Sequence, residues 1–409
     1  MATSSRVSWL STLLLVFGPG LVVMFADTDA GSIIVAAQSG ARWGYHLLLL
    51  QFILMPILFF AQELSVRLGI VTGKGHGELI KIKFGKICAW ISVGTLLISC
   101  IGAMFSELSG LAGVGNLYGI PTYIVMLLVV VFLSVVVLTG SYRSVERIAL
   151  FFGFFELVFF GVAWMAHPSL QEMAEKIRTM PIHDDQFLLL AAANIGAVIM
   201  PWMVFYQQSA VVDKKLGLVH LKAARWDTAI GAVITQLIMA SVLIATAATI
   251  GKQNPGVPLN TVEQISHALI PFMGETAGKI LFAMGMSGAA LISAIVVSLT
   301  AAWALGEITG FKHSLEHHPR EAPWFYLTYI AVLLIGAGVI IAGVNLVNLS
   351  VAVNVMNALL LPVVLGFLYL LAIKALPEAH RLKGIYGACV ATTLLITVIF
   401  GVYSGLRGG

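Results

Sequence analysis

The chain has 409 residues, of which 59% are hydrophobic and only 10% are charged. Soluble domains carry about 25% charged residues, so the composition excludes a soluble globular protein and indicates an all-α protein that crosses the membrane many times. The formal net charge of +4 lies mostly in a few loops and gives no indication of nucleic acid as a partner. The three cysteines are an odd, scattered set that fits neither a disulfide framework nor a zinc cluster.

Eleven apolar segments are long enough to cross a bilayer. They cover approximately residues 8–45, 46–70, 87–115, 120–141, 145–166, 187–211, 225–250, 279–309, 323–345, 347–374 and 384–405. Lys and Arg concentrate in the loops after the second, fourth, sixth, eighth and tenth segments, which the positive-inside rule places in the cytoplasm. We therefore expect an integral protein of a bacterial-type plasma membrane, with a cytoplasmic N-terminus and an external C-terminus. Arg225 and Asp227, which open the seventh segment, are expected to form an interfacial pair.

The first apolar segment is interrupted by polar residues over the stretch 27–32, Asp-Thr-Asp-Ala-Gly-Ser. A charged side chain at membrane depth is costly, so it is normally kept with a partner, a cavity or a bound ion. Gly31 can let the helix unwind and turn its carbonyl groups towards such an ion. Alternatively, residues 9–26 already form a complete span of about 18 residues, and the polar stretch is a surface loop. The stretch alone leaves both interpretations open.

The sixth apolar segment contains a second interruption, around Pro201. Proline lacks a backbone donor and clashes with the preceding turn, so it frees carbonyl groups around Ala197. A simple proline kink is the alternative. However, interrupted helices at equivalent places in two halves of a chain indicate a transporter substrate site near the middle of the membrane.

The first and sixth segments lie five apart, as corresponding members of two inverted five-helix repeats would. We therefore predict one transmembrane domain over residues 1–409. Its parts would be a first repeat at about 8–166, a second repeat at about 187–374 and an extra helix at about 384–405.

At these two interruptions the chain resembles the Nramp family of divalent metal transporters, which have the LeuT-type fold. Asp-Ala-Gly-Ser at 29–32 stands where the family has Asp-Pro-Gly-Asn, and Ala-Val-Ile-Met-Pro-Trp at 197–202 stands where it has Ala-x-x-Met-Pro-His. The additional Asp27, the Pro-Trp pair and Phe-Tyr-Gln-Gln-Ser at 205–209 are similar to a divergent Nramp-related branch, some members of which carry magnesium. That branch has a small residue where this chain keeps Met200.

The resemblance implies a metal site built from both interruptions. Asp29 would supply a carboxylate and Ser32 would replace an amide ligand. Ala197 would give its backbone carbonyl, and Met200 its thioether. Carboxylate, carbonyl and hydroxyl oxygens suit hard ions such as Mg²⁺ and Mn²⁺, whereas a thioether favours a transition metal.

Four further residues are assigned by the same resemblance or by proximity. Asp27 is an additional carboxylate that reaches the site if the segment is unwound. Asn354 matches a polar position that approaches the metal in some states. Glu107 falls near a membrane glutamate implicated in proton movement, and Trp202 replaces a histidine. An indole N–H cannot titrate near neutral pH as a histidine can.

Together these features predict a secondary transporter, not an enzyme, that moves divalent ions by alternating access with weak or no proton coupling. Mn²⁺ is favoured, Mg²⁺ is close behind and Fe²⁺ is a further candidate. The expected partners are the transported ion and the lipid bilayer, with no other cofactor, and a monomer is expected. A sodium-coupled amino-acid carrier of the LeuT type is the main alternative, although two aspartates would repel a substrate carboxylate. An intramembrane hydrolase using Asp27 or Asp29 lacks any second catalytic motif.

Overall fold

The computed structural model describes residues 18–139, 141–253, 255–267 and 274–408, and its regular elements there are all helices. The α-helices are α1 Pro19–Asp27, α2 Ala30–Trp43, α3 Leu48–Thr72, α4 His76–Phe84, α5 Lys86–Leu117, α6 Thr122–Leu138, α7 Tyr142–Gly153, α8 Val158–Met165, α9 Leu170–Arg178, α10 Asp185–Val198, α11 Pro201–Asp213, α12 Leu221–Ala248, α13 Ile250–Gln253, α14 Val262–Ser266, α15 Glu275–Thr309, α16 Pro323–Ile341, α17 Leu346–Lys374 and α18 Gly384–Gly408. Short 3₁₀ turns at Phe154–Leu157 and Leu218–His220 precede α8 and α12.

The helical spans correspond to the eleven apolar segments found in the sequence. Nine spans in the described part of the chain are long and apolar enough to cross a membrane, and the bent pair α1–α2 makes a tenth. Helix α6 has 17 residues, which at 1.5 Å per residue reach about 26 Å of the roughly 30 Å bilayer core. Residues 8–17 of the first predicted segment lie outside the described residues.

Some helices face lipid and others lie inside the bundle. Helix α6 exposes a row of large apolar side chains, namely Tyr123, Leu127, Leu128, Val131, Val135 and Leu138. An apolar surface of this kind is typical of contact with a membrane. In contrast, the span formed by α10 and α11 is almost entirely buried. The second interrupted helix therefore lies in the interior of the bundle.

Helix α2 occupies the centre of the packing, because α5, α10, α12, α15 and α17 all contact it. Small residues allow the closest approaches, as is common between membrane helices. A Cβ atom on Gly196 would lie only 1.8 Å from the carbonyl oxygen of Asn354, so only glycine lets α10 approach α17 this closely. The contact brings the middle of α17 next to the end of α10.

The expectation that Arg225 and Asp227 form a pair is wrong. Arg225 instead places its Nε atom 3.0 Å from Glu63 Oε1 on α3. Asp227 is buried and accepts a hydrogen bond of 2.8 Å from the backbone N–H of Gly20. Residues two apart on a helix point in different directions. Arg225 and Asp227 therefore contact partners on two different helices instead of each other. Asp227 thereby satisfies a free N–H group at the start of α1.

Candidate cation site

The first span breaks between α1 and α2, which are bent by 46°. Thr28 and Asp29 lie between the two helices, and Asp29 has an extended backbone with φ −68° and ψ 171°. Its Oδ1 accepts a hydrogen bond of 2.5 Å from the N–H of Ser32. Asp29 is therefore the N-cap of α2, a position in which an aspartate satisfies a free N–H group and stabilises the helix start.

The structure corrects two expectations for the stretch 27–32. The surface-loop interpretation is wrong, because Asp27, Thr28 and Asp29 are at most 1% exposed. The backbone also unwinds before Gly31 rather than at it, since the N-cap fixes the start of α2 at Ala30. Gly31 instead allows a close approach: a Cβ atom there would lie 3.0 Å from Ser106 Cβ.

The second span breaks at Ile199 and Met200, between α10 and α11. Pro201 starts α11 and cannot donate a hydrogen bond to Ala197 four residues earlier. The freed Ala197 carbonyl instead accepts a hydrogen bond of 2.9 Å from the Ser32 hydroxyl. The two breaks, 165 residues apart in sequence, thus contact each other directly.

This contact leaves oxygen lone pairs available for a cation. Ser32 directs its proton to the Ala197 carbonyl, so its own lone pairs remain free, and the carbonyl oxygen has a second lone pair. Asp29 adds a carboxylate within the same turn. Among the described residues no group of three His, Cys, Asp or Glu side chains is placed to hold a metal. A cation here would therefore be bound by a mixed set of carboxylate, hydroxyl and carbonyl groups, with water or sulfur completing it.

Met200 and Trp202 belong to the second break by their place in the chain. Met200 is the N-cap residue of α11, with φ −90° and ψ 141°, and is 1% exposed. Trp202 follows Pro201 and is fully buried. Its indole Nε1 has no hydrogen-bond partner in the described part of the chain, so this buried donor is available to a further group.

Asn354, on α17, lies between the two breaks. Its side chain donates a hydrogen bond of 3.1 Å to the carbonyl of Ser350, and its Nδ2 is 3.1 Å from the position of a Cβ on Gly31. Its backbone carbonyl faces Gly196 on the other broken span. The structure therefore brings this predicted residue to both breaks.

Glu107, on α5, also reaches the first break. Its Oε2 accepts a hydrogen bond of 3.1 Å from the N–H of Ala30, the first residue of α2. Its carboxyl group also interacts directly with that of Asp29. The predicted proton-path glutamate therefore contacts the predicted metal carboxylate.

Asp27 ends α1 on the other side of the break and has a neighbour that the sequence analysis overlooked. Within the described residues, neither carboxylate oxygen of Asp27 has a hydrogen-bond partner. Asp27 and Asp29 both interact electrostatically with Glu156, which is fully buried in the 3₁₀ turn Phe154–Leu157. The available signal was a glutamate in the middle of the fifth apolar segment, since an intramembrane carboxylate is a functional candidate by default.

The fold and this site define a multispanning helical membrane protein in which two broken helices meet at a buried, acidic, oxygen-rich centre. The model of the Nramp family, described as "Natural resistance-associated macrophage protein-like", matches residues 20–407 of the chain. The chain belongs to the Nramp family.

Relatives in this family are named as metal transporters. The "Divalent metal cation transporter MntH" of Xylella fastidiosa (strain 9a5c) is 27% identical over 319 residues. This match covers 73% of the present chain and 66% of the Xylella protein, slightly less than two thirds of its length. MntH of Klebsiella pneumoniae (strain 342) is 27% identical over 353 residues, covering 81% of this chain and 82% of that protein.

Solved structures confirm the predicted LeuT-type fold. The manganese transporter of Eremococcus coleocola, in complex with an aromatic bis-isothiourea substituted compound, superposes with a TM-score of 0.79 at 19% identity. That likeness covers 99% of this chain and 89% of the transporter. MhsT in complex with L-phenylalanine gives a TM-score of 0.62 at 14% identity, over 98% of this chain and 99% of MhsT.

Proposed function

We propose that this protein is a secondary transporter that moves divalent metal ions across the membrane by alternating access. The observation that carries the proposal is the contact between the Ser32 hydroxyl and the Ala197 carbonyl beside Asp29. Broken helices that present carbonyls and a carboxylate at their meeting point suit a cation as substrate. Membership of the Nramp family and the metal-transporter names of the MntH relatives support the same function.

Mn²⁺ is the preferred ion in this proposal, Mg²⁺ is close behind and Fe²⁺ is a further candidate. The oxygen groups of Asp29, Ser32 and Ala197 suit any of these ions. Met200 is the reason for preferring Mn²⁺ to Mg²⁺, because a thioether favours transition metals over Mg²⁺. Its position at the start of α11, next to the freed carbonyl, would let the sulfur face Asp29.

Transport would be weakly coupled to protons or uncoupled. Trp202 occupies the place of a histidine in the family motif, and an indole does not titrate near neutral pH. Metal ions would then move down their gradient and the membrane potential. Glu107, which contacts both Ala30 and Asp29, is the remaining candidate for a proton carrier.

The transporter would lie in a bacterial-type plasma membrane as a monomer, with its N-terminus in the cytoplasm and its C-terminus outside. The distribution of Lys and Arg among the loops supports this orientation. Its partners would be the transported ion and lipid, with no cofactor and no nucleic acid.

A sodium-coupled amino-acid carrier is the competing function. MhsT, whose structure was solved in complex with L-phenylalanine, has a similar fold. In this chain the first break and its surroundings hold Asp27, Asp29 and Glu107, all buried. Three carboxylates would repel the carboxylate of an amino acid, whereas they would attract a divalent cation.

Uptake into proteoliposomes separates the two functions. Wild-type protein should take up Mn²⁺ and no labelled amino acid. Asp29→Ala should abolish Mn²⁺ uptake while the folded yield stays nearly intact, because the loss of the N-cap of α2 is offset by the removal of a costly buried charge. Asp185→Ala, at an exposed aspartate that pairs with Arg407, is the control and should transport normally.

Two outcomes would change the proposal. Wild-type rates of Mn²⁺ uptake in Asp29→Ala would refute the role of this carboxylate. Asp27→Ala should reduce uptake less than Asp29→Ala, and an equal loss would mean that the two aspartates act as a pair.

A further inference from the structure

A cavity of about 480 Å³ lies among α2, α10 and α17, at one end of the bundle. Its wall includes the end of α2 and the first halves of α10 and α17. Gln186 and Asn348, on this wall, are exposed, so the cavity reaches the surface of the bundle. In the proposed orientation these helix ends face outwards. The cavity would then receive ions from outside the cell.

An apolar layer lies between this cavity and the candidate cation site. Val35, Ala193 and Val355 pack together as one buried cluster, and Val355 also lines the cavity. Val35 lies one turn along α2 from Ser32, and Ala193 lies one turn before Ala197 on α10. The same three helices therefore carry the cavity at their outer ends and the candidate site beneath the apolar layer.

The wall of the cavity carries a positive charge. Among its described lining residues the polar groups Gln38, Gln186 and Asn348 are neutral, and Arg42 alone is charged. Arg42 Nη1 donates a hydrogen bond of 3.3 Å to Gln186 Oε1, an amide oxygen on α10. A neutral amide cannot cancel the charge, and a guanidinium group stays protonated in proteins. A cation that enters the cavity therefore meets a like charge.

Arg42 also has an ordinary structural role. It lies in the last turn of α2, where a cation stabilises the helix end by interacting with the free carbonyl groups. A change of this residue therefore affects α2 as well as the cavity. The two roles can be separated, because a weaker helix end lowers the amount of folded protein, whereas a charge beside the entry changes the rate per folded molecule.

We propose that Arg42 is a charge barrier to entry, which repels divalent cations from the outer cavity and so raises the external concentration needed for uptake. This inference rests on the proposed function and its orientation. Charge that lines a cleft changes the local concentration of ions and the rate at which they arrive. A unit positive charge about 10 Å away in water lowers the local concentration of a divalent cation about fourfold. Because the repulsion depends on charge alone, Arg42 would act on Mn²⁺ and Mg²⁺ alike.

Arg42→Lys, Arg42→Gln and Arg42→Glu form a series that keeps, removes and reverses the charge. Initial Mn²⁺ uptake is measured in intact cells, so that only the external face meets the added ion, and is divided by the amount of protein in the membrane. At low Mn²⁺ and an ionic strength of about 0.01 M, uptake should rise about threefold in Arg42→Gln and about eightfold in Arg42→Glu. Both factors should fall towards one at about 0.15 M, where the screening length is about 8 Å.

Two further measurements separate the barrier from a structural role. Arg42→Lys should behave like wild type, and the maximal rate at saturating Mn²⁺ should be the same in all variants, because only entry is changed. Arg407→Gln is the matched control, since it removes the same charge from an exposed arginine that pairs with Asp185 and does not line the cavity. It should take up Mn²⁺ like wild type at both ionic strengths.

Three results would overturn the barrier. They are uptake per molecule that rises in neither Arg42→Gln nor Arg42→Glu, a rise that is equal at both ionic strengths, and an equal rise in Arg42→Lys. A misfolded variant cannot imitate the expected result, which is an increase. In each case the proposed function stands if wild type takes up Mn²⁺ and Asp29→Ala does not. Absence of Mn²⁺ uptake by wild type would instead refute the proposed function.

Discussion

Removal of the Ser32 hydroxyl tests the contact that joins the two broken helices. In Ser32→Ala, the buried Ala197 carbonyl loses the donor that now lies 2.9 Å away, and Pro201 cannot replace that donor. In the proposed site, the cation would also lose one neutral oxygen ligand. Loss of a polar contact in a buried site costs about 1–3 kcal/mol, which corresponds to a fall in affinity of roughly 5- to 150-fold. Mn²⁺ binding should weaken within this range.

Ser99→Ala separates a loss of ligand from a loss of stability. Ser99 is equally buried, and its hydroxyl donates a hydrogen bond of 2.7 Å to Asn357 Oδ1 between α5 and α17. Both variants should lower the thermal midpoint of the purified protein, but only Ser32→Ala should weaken Mn²⁺ binding in calorimetry. Unchanged Mn²⁺ affinity in Ser32→Ala, or equal losses in both variants, would show that this hydroxyl is structural and not a ligand.

Three further predictions concern the second broken span. Met200→Ala should weaken Mn²⁺ and Cd²⁺ binding by about 1–3 kcal/mol while Mg²⁺ or Ca²⁺ transport holds or rises. Unchanged Cd²⁺ affinity in calorimetry would mean that Met200 only packs. Because Trp202 cannot titrate near neutral pH, Mn²⁺ uptake should leave the internal pH of proteoliposomes almost unchanged, and one proton entering per metal ion would contradict weak coupling. Gly196→Ala should destabilise the protein by about 1–3 kcal/mol or more, since its Cβ would meet the Asn354 carbonyl at 1.8 Å. Gly366→Ala, with open space around the new Cβ, should keep the wild-type thermal midpoint, and similar midpoints for both variants would refute the packing argument.

The sequence was sufficient to predict the helical spans and both interruptions, because these features depend on local chemistry. Apolar length predicts a span, and a proline inside one predicts a freed carbonyl four residues earlier. The donor for that carbonyl was not predictable, because Ser32 lies 165 residues away and only tertiary packing selects it. The break was expected at Gly31, the glycine in the stretch, whereas in the structure the Asp29 side chain caps α2 and fixes its start at Ala30.

Glu156 illustrates a different limit. An intramembrane glutamate was visible in the middle of the fifth apolar segment, but nothing local identified the groups on other helices that it meets. Its electrostatic interaction with Asp29 and Asp27 depends on tertiary packing such as that of Gly153 against Phe25, which no periodicity reveals. Arg225 and Asp227 show the converse, because their closeness in sequence suggested a pair whereas each side chain found a partner on another helix.

The acidic groups around the first break connect the stability of the fold to its substrate. Asp27 and Asp29 come from one broken span, Glu107 from α5 and Glu156 from the 3₁₀ turn, and all four are at most 1% exposed. Like charges held this close disfavour one another, so the rest of the bundle must supply the free energy that keeps them together. A bound divalent cation would relieve that repulsion, and binding to the folded state alone at a concentration of 100 Kd adds about 2.7 kcal/mol of stability. In the proposed function, the carboxyl groups that are costly to hold together would therefore also be the ones that select a cation over an anionic substrate.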